Sequence, residues 1–152
     1  MKRYFEDIRI GDTETAGAYE VTEGEMVEFA RKWDPLPIHI DPVAAQRSPH
    51  GGLIASGQYT LAVKQKLYTQ TGFIGAAVIG AIGWEEVRFL NPVRPGHRLS
   101  LTSECIDKRE SKSRADRGVI TYRVRMTTQT GEPVLSYVGL VMMQKRNLCN
   151  PL

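Results

Sequence analysis

From Thr22 to Trp33 the apolar residues Met26, Phe29, Ala30 and Trp33 recur every three or four positions, the period of a helix with one buried face. Thr22 suits the N-cap and Glu25, three residues on, completes a capping box, so the pattern predicts a short amphipathic helix ending at Asp34-Pro35. Asp41-Pro42 repeats the start signal, an N-cap aspartate followed by proline at the first helical position, and predicts about two more turns over "DPVAAQR". Beyond the Pro-His-Gly-Gly turn at 49–52, Leu53, Ile54, Ala55, Leu61, Ala62, Val63 and Leu67 spread widely around a third helix that reaches Gly72. Polar Lys64, Lys66 and Gln70 fall only in its second half, so the first half is expected to be buried on most sides.

After Gly72 the period shortens. "AAVIGAIGWEEVRFL" is rich in small and β-forming residues, "HRLSLTSECID" alternates Leu99, Leu101, Ser103 and Cys105 against polar partners, and "VITYRVRMTTQ" sets Ile120, Tyr122, Val124 and Met126 on one face. "VLSYVGLVMMQK" follows the turn "TGEP". Four long strands with no helix between them need only short connections, which makes the sheet antiparallel. The expected class is α+β, a long central helix wrapped by a curved antiparallel β-sheet.

Length and composition narrow the field. A chain of 152 residues, 41% hydrophobic and 24% charged, fits one globular domain, taken as 1–146, with 147–152 as a C-terminal tail. No apolar run approaches the roughly 20 residues of a membrane-spanning helix, and "MKRYFEDIRIGD" carries acids where a secretory signal would be apolar, so a cytoplasmic location and no membrane partner are expected. Cys105 and Cys149 alone imply no disulfide framework. The net charge of +3 is too small to argue for nucleic acid, and the basic runs at 88–98 and 108–117 lack interleaved aromatic residues for base stacking; a solvated loop or a phosphorylated small molecule suits them better.

The candidate chemistry lies in "WDPLPIHID", Trp33 to Asp41. Pro35 and Pro37 push the residues before them toward extended geometry. In a fully extended path of about 3.1 Å per residue Asp34 and His39 would stand about 15 Å apart, so they share a substrate only if the chain bends near Ile38 or packing closes the gap. A carboxylate and an imidazole facing one water can divide its activation and proton delivery between them. The competing reading is a stiff polar turn in which Asp41 caps a helix and His39 bonds the backbone. Gly51 and Gly52, at the turn into the third helix, can present free N–H groups to a developing negative charge on a carbonyl oxygen. His39, Asp41 and His50 have no diagnostic metal spacing, and "GAAVIGAIG" is not a dinucleotide loop. No metal and no cofactor are expected.

The stretch from Phe29 to Thr60, "FARKWDPLPIHIDPVAAQRSPHGGLIASGQYT", resembles the MaoC-like acyl dehydratases, relatives of the (R)-specific enoyl-CoA hydratases, whose motif runs D-x-N-P-[L/I]-H-x-D before a glycine turn. "WEEVRFLNPVRPGHRL" looks like the family's second signature around V-R-P-G-D-x-L, and the resemblance extends over roughly Tyr4 to Lys145. It implies a hot-dog fold, a homodimer or dimer of dimers, and an acyl-CoA thioester as substrate. It further implies Asp34 and His39 as the catalytic pair for reversible hydration of a 2-enoyl-CoA, Gly51 or Gly52 as the N–H donor to the thioester oxygen, and Ser56 as a small polar residue lining the site. Leu36 replaces the motif asparagine and His97 the usual aspartate, departures that place the chain in a branch of diverse substrates. A thioesterase on the same fold, with Asp34 directing water to the carbonyl, and an inactive acyl-CoA-binding module whose pocket Leu36 keeps dry are the alternatives. Arg94, Arg98 and Arg114 are available for the CoA phosphates.

Overall fold

Five antiparallel strands make one sheet in the computed structural model, which describes residues 2–146. In chain order the elements are β1 (Thr13–Glu20), α1 (Glu23–Trp33), α2 (Pro37–Ile40), α3 (Pro42–Arg47), α4 (Gly57–Tyr68), β2 (Val78–Phe89), β3 (Arg98–Glu110), β4 (Arg117–Thr127) and β5 (Pro133–Gln144). The order across the sheet is β1-β3-β4-β5-β2, so β1 and β2 are its edges. The four long strands stand where the alternation placed them. The fifth, β1, carries no clear signal, because its sequence TETAGAYE holds Gly17 and leaves most of its side chains at the surface.

The core forms between α4 and one face of this sheet. Leu99, Leu101 and Cys105 of β3, Ile120, Val124 and Met126 of β4, and Leu135 and Tyr137 of β5 alternate inward, in keeping with the two-residue period of a strand buried on one face. Against them α4 sets Tyr59, Val63 and Leu67, with the Tyr68 hydroxyl 2.8 Å from Ser103 Oγ. Cys105 is a buried free thiol; Cys149 and the expected tail at 147–152 lie outside the described residues. Among the described residues no helix is long and apolar enough to cross a membrane.

Three local expectations change. The central helix begins at Gly57, not at the glycine turn: Leu53 to Ala55 run extended, with the Ile54 N–H donating to the Ile38 carbonyl at 3.2 Å and the Ala55 N–H to Val93 at 2.8 Å. That apolar run packs as a strap, and its backbone is satisfied by distant chain rather than by its own next turn. The α1 capping box is half realised. Thr22 accepts the Glu25 N–H at 3.3 Å, but the Glu25 carboxylate turns to the hydroxyls of Tyr19 (2.6 Å) and Tyr59 (2.8 Å). Lys64, read as one of the polar positions of the third helix, is only 1% exposed.

Candidate active site

The stiff loop after α1 does bend. Asp34 ends α1, its N–H bonded to the Ala30 carbonyl at 2.8 Å. Pro37 then opens the single helical turn α2, where a proline costs no hydrogen bond, and the His39 N–H donates to Leu36 at 2.8 Å. One turn of helix is far shorter than the extended path, and it brings His39 Nε2 to 3.5 Å from Asp34 Oδ2. Asp41 ends α2 and caps α3, its Oδ1 accepting the N–H groups of Val43 and Ala44. The carboxylate is thereby spent on the helix, and no group of three candidate metal ligands occurs among the described residues.

His39 is oriented from behind. Its Nδ1 lies 2.8 Å from the carbonyl of Ile54, an acceptor only, so Nδ1 carries the proton and Nε2 faces Asp34. The ring is buried while Asp34 keeps 29% of its side chain exposed, so the pair opens to the outside through the carboxylate. At 3.5 Å the two are too far apart for a strong direct bond, and a water seated beside the pair, off the line joining them, can reach both. Ser56, expected to line the site, is 1% exposed and donates its hydroxyl to Asp34 Oδ2 at 2.6 Å while accepting the Gln58 N–H. It caps α4 and fixes the carboxylate; any influence on a substrate passes through Asp34.

The glycines divide differently from the expectation. Gly51 gives its N–H to Ser48 at 3.0 Å, and both it and Gly52 take positive φ in the loop before the strap, five or more residues from the start of the helix. The residue at that start is Gly57, whose N–H has no partner among the described hydrogen bonds. A Cβ there would lie 2.9 Å from the Phe89 ring, so only glycine fits without moving that wall. Gly57 was legible only as the residue after an N-cap serine, a weak signal once the apolar residues before it are read as helix.

A groove of about 390 Å³ opens beside this centre, lined by His39, Gly57 and Thr60 on one side and by Phe89, Leu90 and Val134 on the other. Arg94 stands at its rim, its guanidinium bonded to the His50 carbonyl at 2.7 Å and adjacent to Gly52. His97 closes the turn that carries Arg94 by accepting the Arg94 N–H on Nδ1 at 3.2 Å, a task open to a carboxylate as well. Arg114 sits in the turn beyond the other end of β3 from Arg98 and is not among the residues lining this groove. Leu36 is half exposed and does not line the groove.

Comparison with known proteins bears on the fold and the family. The chain is 32% identical over 152 residues to a 3-hydroxybutyryl-CoA dehydratase of Methylorubrum extorquens, covering 98% of this chain and 89% of that protein. It superposes on the crystal structure of a MaoC-like dehydratase from Rhodospirillum rubrum with a TM-score of 0.85 at 32% identity, over 95% of this chain and 99% of the other. An (R)-hydratase from A. caviae shares the fold, the hot-dog arrangement of helix and sheet, with a TM-score of 0.71 at 21% identity over 88% and 96% of the two chains. The family model described as a MaoC like domain matches residues 9–128, and the chain belongs to the MaoC-like dehydratase family.

Proposed function

We propose that this protein is a hydro-lyase that reversibly adds water across the 2,3 double bond of a 2-enoyl-CoA thioester. The single observation that carries the reading is the facing pair, His39 Nε2 at 3.5 Å from Asp34 Oδ2, each held from behind by a bond to another part of the chain. Likeness to a 3-hydroxybutyryl-CoA dehydratase supports the substrate class.

The chemistry follows from the geometry. A water bound beside the two side chains gives a proton to the pair, and its oxygen bonds to C3 of the enoyl group. Electrons of the double bond move toward the thioester carbonyl, and a proton returns from the pair to C2, leaving the side chains as they began. The negative charge that builds on the carbonyl oxygen needs a donor. Gly57 offers a free N–H at the first turn of a twelve-residue helix, beside the capped carboxylate, and stands with Gly52, whose N–H likewise has no partner among the described hydrogen bonds, as a candidate for that role. The CoA portion lies across the groove mouth with its phosphates toward Arg94. Two copies pair along the open edge of β2, forming a homodimer.

Asp34→Asn and His39→Ala are each expected to lower kcat for crotonyl-CoA hydration by about 10²–10⁴, the usual worth of a positioned acid or base, with an unchanged circular-dichroism spectrum. Hydration at the wild-type rate in either variant sinks the assignment. Thiol release without loss of enoyl absorbance identifies a thioesterase instead.

A further inference from the structure

Lys64 lies two turns along α4 from Ser56, on the helix face that also carries Thr60 and Tyr68. It is 1% exposed, with its ammonium 3.9 Å from the centre of the Trp84 ring and 5.3 Å from that of Tyr137. One of its three protons goes to Gln65 Oε1 at 3.1 Å, and no carboxylate pairs with it among the described residues. Burial pulls its pKa down to about 8, which leaves it largely cationic at neutral pH. The phenols of Tyr68, Tyr122 and Tyr137, which face the same space, are pushed up by burial and stay neutral. A buried cation without a counter-ion costs stability that a methionine at this position would spare.

The space it enters is a cavity of about 210 Å³ between the middle of α4 and strands β2, β4 and β5, walled by Phe73, Val78, Trp84, Tyr137 and Val141. Groove and cavity follow one another along a single helix-to-sheet interface. The groove takes the start of α4, the end of β2 and the start of β5; the cavity takes the next turns of α4 and the adjoining parts of the same two strands. Thr60 borders the first and Lys64, one turn on, the second. Eight residues of helix separate Ser56 from Lys64, a rise of about 12 Å, and helical side chains lean back toward the N-terminus, which carries the ammonium toward the dyad.

We propose that Lys64 determines specificity, selecting acyl-CoA thioesters whose acyl chain ends in a carboxylate. The chain lies along the aromatic walls and its terminal carboxylate meets the ammonium. The two protons that Gln65 does not take match the two oxygens of one carboxylate. A phosphate, with up to two charges, would outnumber the single cation. This inference rests on the reading that the groove receives the thioester of an acyl-CoA.

Titration calorimetry with saturated acyl-CoAs of four to eight carbons, with and without a terminal carboxylate, reads the preference without turnover. In the wild-type protein the carboxylate form is expected to bind at least about tenfold more tightly than its length-matched partner at one or more lengths. Lys64→Met is expected to reverse the order. Equal binding, or preference for the methyl-ended chain at every length, overturns the inference, as does a Lys64→Met protein that keeps the wild-type preference. Hydration of crotonyl-CoA and of trans-2-enoyl-CoAs that end in a carboxylate, measured in parallel, separates the two readings. Preference without hydration leaves the inference standing and overturns the hydratase assignment, hydration without preference does the reverse, and absence of both removes both.

Discussion

Asp34 and His39 differ in how they are held, and the difference sets what each substitution does. Asp34 depends on a side chain, since Ser56 donates to its Oδ2 at 2.6 Å. Ser56→Ala removes that donor and the N-cap of α4 together. A hydrogen bond to a charged group contributes about 1.5–3 kcal/mol and an N-cap about 1 kcal/mol. Expected outcomes are a fall in kcat of about tenfold or more at nearly constant KM, and a loss of roughly 2–4 kcal/mol in denaturant unfolding. Ser56→Thr, which keeps the hydroxyl, is expected to recover most of kcat. A variant that loses the stability and keeps kcat would confine Ser56 to capping. Both dyad members could be read from "WDPLPIHID", but as a pair only through the family resemblance, because two prolines argue for extension and local spacing does not reveal that Pro37 starts a turn.

Among the elements, those whose stabilisation is local were legible and those satisfied from a distance were not. Thr22 and Asp41 cap as read because the acceptor and the N–H groups are within three residues. The strap at 53–55 was read as helix because apolar residues carry the same pattern whether their N–H groups bond within the segment or, as here, to Ile38 and Val93. Lys64 was misplaced for a related reason: periodicity counts lysine as a surface residue, whereas rings on β2 and β5 enclose this one. The β2 edge has the same incompleteness at larger size. Ile79, Ile82 and Trp84 are exposed along a twelve-residue strand whose outer backbone is unpaired in this chain, a surface that invites pairing with another copy. Light scattering at micromolar concentration is expected to return twice the chain mass, and a replacement of Ile82 by Lys to shift it toward the single chain. A monomeric mass for the unmodified protein excludes the homodimer.

At the scale of the whole molecule the buried titratable groups set the alkaline stability. Lys64 has its folded pKa lowered to about 8 from an ordinary 10.5. Through that window the unfolded chain holds a proton that the folded chain has released, so Lys64 makes the unfolding free energy rise with pH. Tyr19 and Tyr68 are raised to about 12 from 10.0, the first mainly by its bond to Glu25 and the second by burial; Tyr59, Tyr122 and Tyr137 are raised further by burial. Above pH 10 the unfolded chain loses phenolic protons that the folded chain keeps, so stability falls. The buried Cys105 thiol, also raised, opposes Lys64 with the same sign as the tyrosines. The difference between wild-type and Lys64→Met isolates the lysine. The shift corresponds to about 3 kcal/mol, of which the ring contacts return about 1–2 kcal/mol. Lys64→Met is therefore expected to be more stable by roughly 1–2 kcal/mol at pH 7, with the gap closing between pH 8 and 10.5 in urea titrations. A gap independent of pH would show that the lysine's charge is not its source.

The bond from His39 Nδ1 to the Ile54 carbonyl has a consequence for the protein's tolerance of change. A main-chain oxygen is present whatever residue occupies position 54, and the Ile54 N–H to Ile38 bond ties the same two segments a second time. Point mutations at 54 can alter the fit of the strap but cannot delete the acceptor that sets the ring's tautomer. What can disturb it is a change in the number of residues between 39 and 54. Across random variants this span should accept substitutions far more readily than insertions or deletions.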